Sequence, residues 1–117
     1  MADADTADRI VARDAALLTD TVRVNDLVEK RLRSATPDYG WLSEESVDDD
    51  SRLGKKLVWI VDPIDGTRAY LAGREDWCVS VALVAGSTPV LAAVFAPATD
   101  EFFFAVRGQG TTLNARP

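Results

Sequence analysis

Leu57-Val58-Trp59-Ile60-Val61-Asp62-Pro63-Ile64-Asp65-Gly66-Thr67-Arg68-Ala69-Tyr70 decides how this chain is read. The apolar run between Lys56 and Asp62 predicts a short strand buried on both faces. Pro63 has no N–H to give a ladder, so the strand is expected to stop there. Asp62 and Asp65 then share a tight turn, where both carboxylates can converge on one point. The Ile64 carbonyl lies between them and can face the same point. Gly66 opens backbone geometry closed to other residues, and Thr67 is a good N-cap for a helix starting near Arg68. Two carboxylates and a carbonyl are hard oxygen ligands of the kind Mg2+ takes. The free N–H groups of a helix start suit an anion. An Asp-rich turn is by itself ordinary turn chemistry. A plain strand–turn–helix must nevertheless explain the whole run Asp-Pro-Ile-Asp-Gly-Thr straight after a buried strand, and the functional reading explains it better.

Upstream, Trp41-Leu42-Ser43 is a strand candidate running into Glu44-Glu45-Ser46. Adjacent glutamates are usually a solvated surface pair. Here they follow one short strand as Asp62 follows the next. If the two strands are parallel neighbours, both carboxyl ends reach one sheet edge, where α/β sites form. Residues 47 to 56 are charged and turn-rich. Asp48-Asp49-Asp50 lacks the glycine and later glutamate of an EF-hand loop, so a solvated loop is the better reading. Farther back, two helical patterns cover about 6 to 18 and 22 to 34. Ile10, Val11, Leu17 and Leu18 share a face of the first, and Val24, Leu27, Val28 and Leu32 point inward from the second. Thr19-Asp20-Thr21 between them is either a cap or part of one continuous helix. Residues 36 to 40 form a turn ending at Gly40.

Downstream, Trp77 to Val84 alternates as a strong strand. Gly86-Ser87-Thr88-Pro89 is a hairpin turn, Val90 to Ala96 the next strand, Phe102 to Val106 another, and Thr111 to Asn114 a last short one. Phe102-Phe103-Phe104 reads as sheet core and edge cover. The expected fold class is α+β: two N-terminal helical segments packed on a mostly antiparallel sheet.

Composition narrows the function classes. The 117 residues are 47% hydrophobic, enough for one domain with a real core. A net charge of −6 with no basic block argues against a nucleic-acid-coating protein. Acidic groups clustered at a site would instead attract cations. The chain has no histidine, which removes Ser-His-Asp, Cys-His and His-ligated zinc chemistry within it. The one cysteine, Cys78, sits in an apolar run and reads as an inert buried residue. One cysteine allows no internal disulfide, which fits a reducing cytoplasm. The acidic start has no apolar core of a signal peptide, and no run is long enough to span a membrane.

The run from Asp62 to Thr67 resembles the signature of the inositol monophosphatase superfamily of Mg2+-dependent phosphomonoesterases, which includes 3'(2'),5'-bisphosphate nucleotidases. Ser43-Glu44-Glu45-Ser46 is similar to that family's Gly-Glu-Glu element. The resemblance spans about residues 20 to 116 and covers the family's amino-terminal lobe, so residues 1–117 are expected to form a single, partial domain. The carboxy-terminal lobe, with its Trp-Asp-x-Ala-Ala motif, has no match. The resemblance implies that Glu44, Asp62, the Ile64 carbonyl and Asp65 hold Mg2+. It implies that Thr67 and Glu44 orient the attacking water, with Glu45 supporting a further metal or water, and that the N–H groups of Gly66 and Thr67 hold phosphate. The family also has a Thr-x-Ala-Asp element whose aspartate polarises the signature threonine. Alignment puts Thr21 at that position and Asp20 one residue early, so either a residue has been lost or Asp20 serves. Arg68-Ala69-Tyr70 leans toward the bisphosphate nucleotidase branch, which acts on 3'-phosphoadenosine-5'-phosphate; a sugar or inositol monophosphate is the other substrate class implied. Partners are then a small phosphorylated metabolite, with no nucleic acid polymer and no membrane. An apolar face left by the unmatched lobe could drive homo-oligomer formation. Two other readings are a non-catalytic metal-binding remnant and a fragment that needs a second lobe.

Overall fold

The computed structural model describes residues 4–46 and 50–117, with side chains from Asp20 onward. The faces assigned to the first helical pattern, and the first two aspartates of Asp48-Asp49-Asp50, lie outside the described residues. The two helical patterns form one helix, α1 (Ala4–Ala35). The segment contains no glycine or proline, and a Thr or Asp inside a helix costs only tenths of a kcal/mol. Nothing at Thr19-Asp20-Thr21 is therefore strong enough to break it. The helix ends where Pro37 disfavours helical geometry at Thr36. There the Thr36 N–H and hydroxyl both donate to the Leu32 carbonyl, at 2.9 and 2.6 Å.

Six strands follow: β1 (Gly40–Ser43), β2 (Leu57–Asp65), β3 (Cys78–Ala85), β4 (Thr88–Ala96), β5 (Glu101–Val106) and β6 (Thr111–Leu113). They form one sheet in sequence order. β1 and β2 are parallel, with Trp41 opposite Trp59 and Ser43 opposite Val61. All later pairs are antiparallel. A short 3-10 turn, Ser51–Gly54, lies in the β1–β2 crossover, and α2 (Thr67–Leu71) lies between β2 and β3. This is the expected α+β class.

α1 packs over β1 and β2. Trp41, Trp59 and Val61 form the core, with Val28 and Leu32 from α1, Tyr39, and Val81, Leu83 and Leu91 from β3 and β4 against them. The indole N–H of Trp59 donates to Thr36 Oγ1 at 2.9 Å, so the rim of this core is polar-satisfied.

Three expectations need correction. β2 is covered on one face only: Trp59 and Val61 are buried beneath α1, whereas Ile60 between them is 41% exposed. Residues two apart share a face of a strand, so a single covering helix buries every second one. The strand also does not stop at Pro63. It runs to Asp65 through an irregularity, with Asp62 opposite Ser80 and Asp65 opposite Cys78. Three steps on β2 face two on β3, so one extra residue is accommodated as a bulge. A fully buried proline without an N–H is tolerated at such a point. Finally, Leu27 is 55% exposed while Asn25 is 2% exposed. The buried stripe of α1 runs through Thr21, Asn25, Val28 and Leu32, and Leu27 lies about 200° around the helix from Asn25.

Candidate active site

The parallel register of β1 and β2 sets the site. Ser43 stands beside Val61, so the next residues of each strand, Glu44-Glu45 and Asp62, leave the sheet at the same edge. The expected meeting of the two acidic pairs is thus a consequence of one strand pairing. A cleft of about 360 Å³ opens there, lined by Leu42, Glu44, Ile60, Asp62, Ser80 and Ala82. A larger one of about 540 Å³ lies beyond the bulge, lined among others by Asp65, Gly66, Glu75, Asp76, Cys78 and Phe103.

Asp62 is the partly buried member of the group, and Glu44, Glu45 and Asp65 are exposed. Burial holds the Asp62 carboxyl above the usual carboxylate range, and the charges of Glu44, Asp65 and Glu45 push it the same way; a hydrogen bond with the Ile64 backbone opposes them. The Cys78 thiol is pushed up by burial and then by Asp65 and Asp62. It lies 4.0 Å from Asp65 Oδ2. Anionic side chains thus raise one another's cost at this edge. Among the described residues no three carboxylates or thiols stand close enough to hold a metal ion between them. The donor set is all hard oxygen and carries a mutual repulsion that a divalent cation would relieve, so its chemistry fits Mg2+. The exposed Glu44 and Asp65 side chains would have to turn to complete a shell.

The start of α2 differs from expectation. Gly66, at φ 89°, is the N-cap, and Thr67 is the first helical residue. Gly66 is needed twice over: a Cβ there would lie 2.7 Å from the Asp76 carbonyl oxygen and 3.1 Å from Trp77 Cα. The turn is packed against the segment leading into β3, which leaves Thr67 exposed. Asp20 does reach α2, but the hydroxyl donating to it is that of Tyr70 rather than Thr67. Tyr70 in turn meets the Trp77 ring edge-on, with centroids 4.9 Å apart. The hydrogen bond to Asp20 holds the Tyr70 hydroxyl above its ordinary pKa, as do burial and the Asp20 charge. Thr21, the other candidate for the activating position, is buried within the α1 stripe.

Residue-pattern reasoning missed the polar groups behind Glu44 and Glu45. Asn25, Ser43, Ser46, Trp41 and Glu29 form a connected hydrogen-bond set there. The available signal was an asparagine at helical spacing from Thr21, Val28 and Leu32, facing a glutamate pair bracketed by serines.

A family model for the inositol monophosphatase family matches residues 5–117. The chain belongs to that family. It is 42% identical over 90 residues to the Nus factor SuhB of Xylella fastidiosa, covering 77% of this chain and 32% of that protein. It is 47% identical over 62 residues to a 3'-phosphoadenosine 5'-phosphate phosphatase of Mycobacterium bovis, covering 52% of this chain and 23% of that one. Among solved structures, an IMPase/NADP phosphatase complexed with Mg2+ and phosphate aligns with a TM-score of 0.74 and 26% identity, over 83% of this chain and 37% of that one. The chain spans about a third of the length of the curated relatives it matches first. As a family member it has phosphatases among its relatives, and among the described residues no helix is long and apolar enough to cross a membrane.

Proposed function

We propose that this chain carries the metal- and phosphate-holding half of a Mg2+-dependent phosphomonoesterase site, and that turnover draws on a second lobe such as its longer relatives contain. The observation that carries the reading is the parallel β1–β2 register, which delivers Glu44-Glu45 and Asp62 to one edge. Bound Mg2+ would neutralise phosphoryl charge and activate water. Glu44, Asp62, the Ile64 carbonyl and Asp65 are the groups that would hold it. Glu44 and Thr67 orient the attacking water, and the N–H groups of Gly66 and Thr67 take the phosphate. Asp20 acts on Thr67 only if it gives up Tyr70. The likeness to the mycobacterial phosphatase and the basic Arg68 favour 3'-phosphoadenosine-5'-phosphate as substrate, ahead of a sugar or inositol monophosphate. The exposed sheet face around Ile60 would be covered by a second lobe or, in its absence, by self-association in the cytoplasm.

Isothermal titration of the chain with Mg2+ or Mn2+ tests the site. Asp62→Asn should weaken binding at least tenfold, or ~1.4 kcal/mol; equal binding by the variant removes the site. Turnover of 3'-phosphoadenosine-5'-phosphate and inositol-1-phosphate at saturating Mg2+ tests the need for a second lobe. Positioning and preorganised charge are most of phosphoryl-transfer catalysis, so the chain alone should fall well below ~1 per second. A rate of ordinary enzymes, lost in Asp62→Asn, would make this chain a complete enzyme.

One observation favours a second reading, metal binding without turnover. The carboxylate expected to activate Thr67 is engaged by Tyr70. Metal affinity sensitive to Asp62→Asn, with no hydrolysis even when the matching lobe of a relative is added, would select it.

A further inference from the structure

The turn that carries Glu44 and Glu45 is held at both ends by one amide. Ser43 Oγ donates to Asn25 Oδ1 at 2.6 Å. The Asn25 Nδ2 donates to Ser46 Oγ at 2.9 Å. Asn25 thus spends its acceptor on the serine before the glutamate pair and a donor on the serine after it. Ser46 Oγ also accepts from the Trp41 indole at 3.0 Å and donates to Glu29 Oε1 at 2.8 Å. The Ser43 hydroxyl receives the Glu45 N–H at 3.4 Å, and the Ser46 N–H reaches the Ser43 carbonyl at 3.3 Å. Among the described residues no buried side-chain polar atom is left without a partner.

Such a set is costly to build half-way. A buried amide without partners loses about 1–3 kcal/mol, and a buried network is stable only when every member is satisfied. An apolar residue at position 25 would fit the α1 stripe between Val28 and Thr21 without that demand. Fold alone therefore gives Asn25 no reason to be polar, and its two contacts go to the residues that bracket Glu44-Glu45. The carboxylates themselves are exposed and contribute nothing to the core.

We infer that Asn25 is a positioning residue for the glutamate pair: it fixes the Ser43–Ser46 turn so that Glu44 faces Asp62 across the β1–β2 edge. This rests on the metal-site reading above. Glu44 held in place loses less freedom on ligation, which is the general gain of preorganisation. Ser46, clamped from three sides, shares the task with Asn25.

The test is Mn2+ titration of the 117-residue chain by calorimetry, at a temperature where circular dichroism shows each variant folded. Asn25→Ala should weaken Mn2+ binding at least tenfold. In a Glu44→Gln background the same substitution should change affinity less than threefold, because the group it positions has gone; such non-additivity is the signature of coupled residues. Ser46→Ala, a smaller change, should weaken binding several-fold and carries the test if Asn25→Ala does not fold. Wild-type affinity in both single variants would overturn the inference, as would full multiplication of the Asn25→Ala and Glu44→Gln losses. A wild-type chain that takes no Mn2+ at millimolar concentration would overturn the metal-site reading itself and this inference with it.

Discussion

Replacing Gly66 by alanine should be among the most damaging single-methyl changes in this chain, and the structure says by how much. Gly66 sits at φ 89°, where an L-residue costs roughly 1–2 kcal/mol. The added Cβ would also lie 2.7 Å from the Asp76 carbonyl oxygen and 3.1 Å from Trp77 Cα. Both are backbone atoms, so no side chain can rotate away, and relief requires shifting the segment into β3. Overpacking of that kind costs about 1–3 kcal/mol. Together the loss is ~2–5 kcal/mol, a large share of the ~5–15 kcal/mol typical of a domain. Gly73 supplies the control: its φ is 72° but a Cβ there meets nothing within 4 Å. Gly73→Ala should therefore cost only the conformational part, ~1–2 kcal/mol. The entropy that alanine removes from the unfolded chain is common to both and cancels in the comparison. Urea and thermal unfolding followed by circular dichroism read the difference. At about 4 °C per kcal/mol for this size, Gly66→Ala should melt roughly 8–20 °C below wild type. Gly73→Ala should fall by about half that or less. Equal losses in the two variants would show that Gly66 is not packed against Asp76 and Trp77, and the account of the turn would fail with it.

Two further outcomes are expected. The Asp62 pKa is raised in the folded chain, so the native state binds the proton more tightly than the unfolded one, and stability falls as pH rises from the unfolded carboxylate value near 3.8 through the folded value. Without metal at pH 7, Asp62→Asn should melt higher than wild type; at saturating Mg2+ the order should reverse, because the cation binds only the native carboxylate. A lower melting temperature for the metal-free variant would contradict the repulsion at this edge. The Tyr70 hydroxyl links α2 to α1 through Asp20, so Tyr70→Phe and Asp20→Ala should each cost about 0.5–1.5 kcal/mol, and the double variant no more than the larger single loss; additive losses in urea melts would mean that the two residues do not act together.

The parts of this fold legible in the sequence are those set by local chemistry. β2 to β6 announce themselves by apolar alternation and turn residues, and the acidic edge follows from two short strands each ending in carboxylates. What escaped depends on which face another element covers. Ile60 and Trp59 are equally apolar, yet only Trp59 is buried, because a single helix lies on one side of the sheet. Leu27 reads as core by type and Asn25 as surface, but the helix is rotated so that the asparagine enters and the leucine leaves. That rotation has a physical cause visible only in three dimensions. Turning Leu27 inward would carry Asn25 away from Ser43 and Ser46, leaving three buried hydrogen-bonding groups unpaired. Each unpaired buried group costs about 1–3 kcal/mol, whereas burying one leucine gains about 1.5–3 kcal/mol. The polar set therefore outweighs the leucine, and the orientation of α1 is decided by the same residues that bracket Glu44 and Glu45. Sequence patterning treats core and site as separate problems; in this chain the buried face of α1 is also the back of the acidic turn, so an error about one was necessarily an omission about the other.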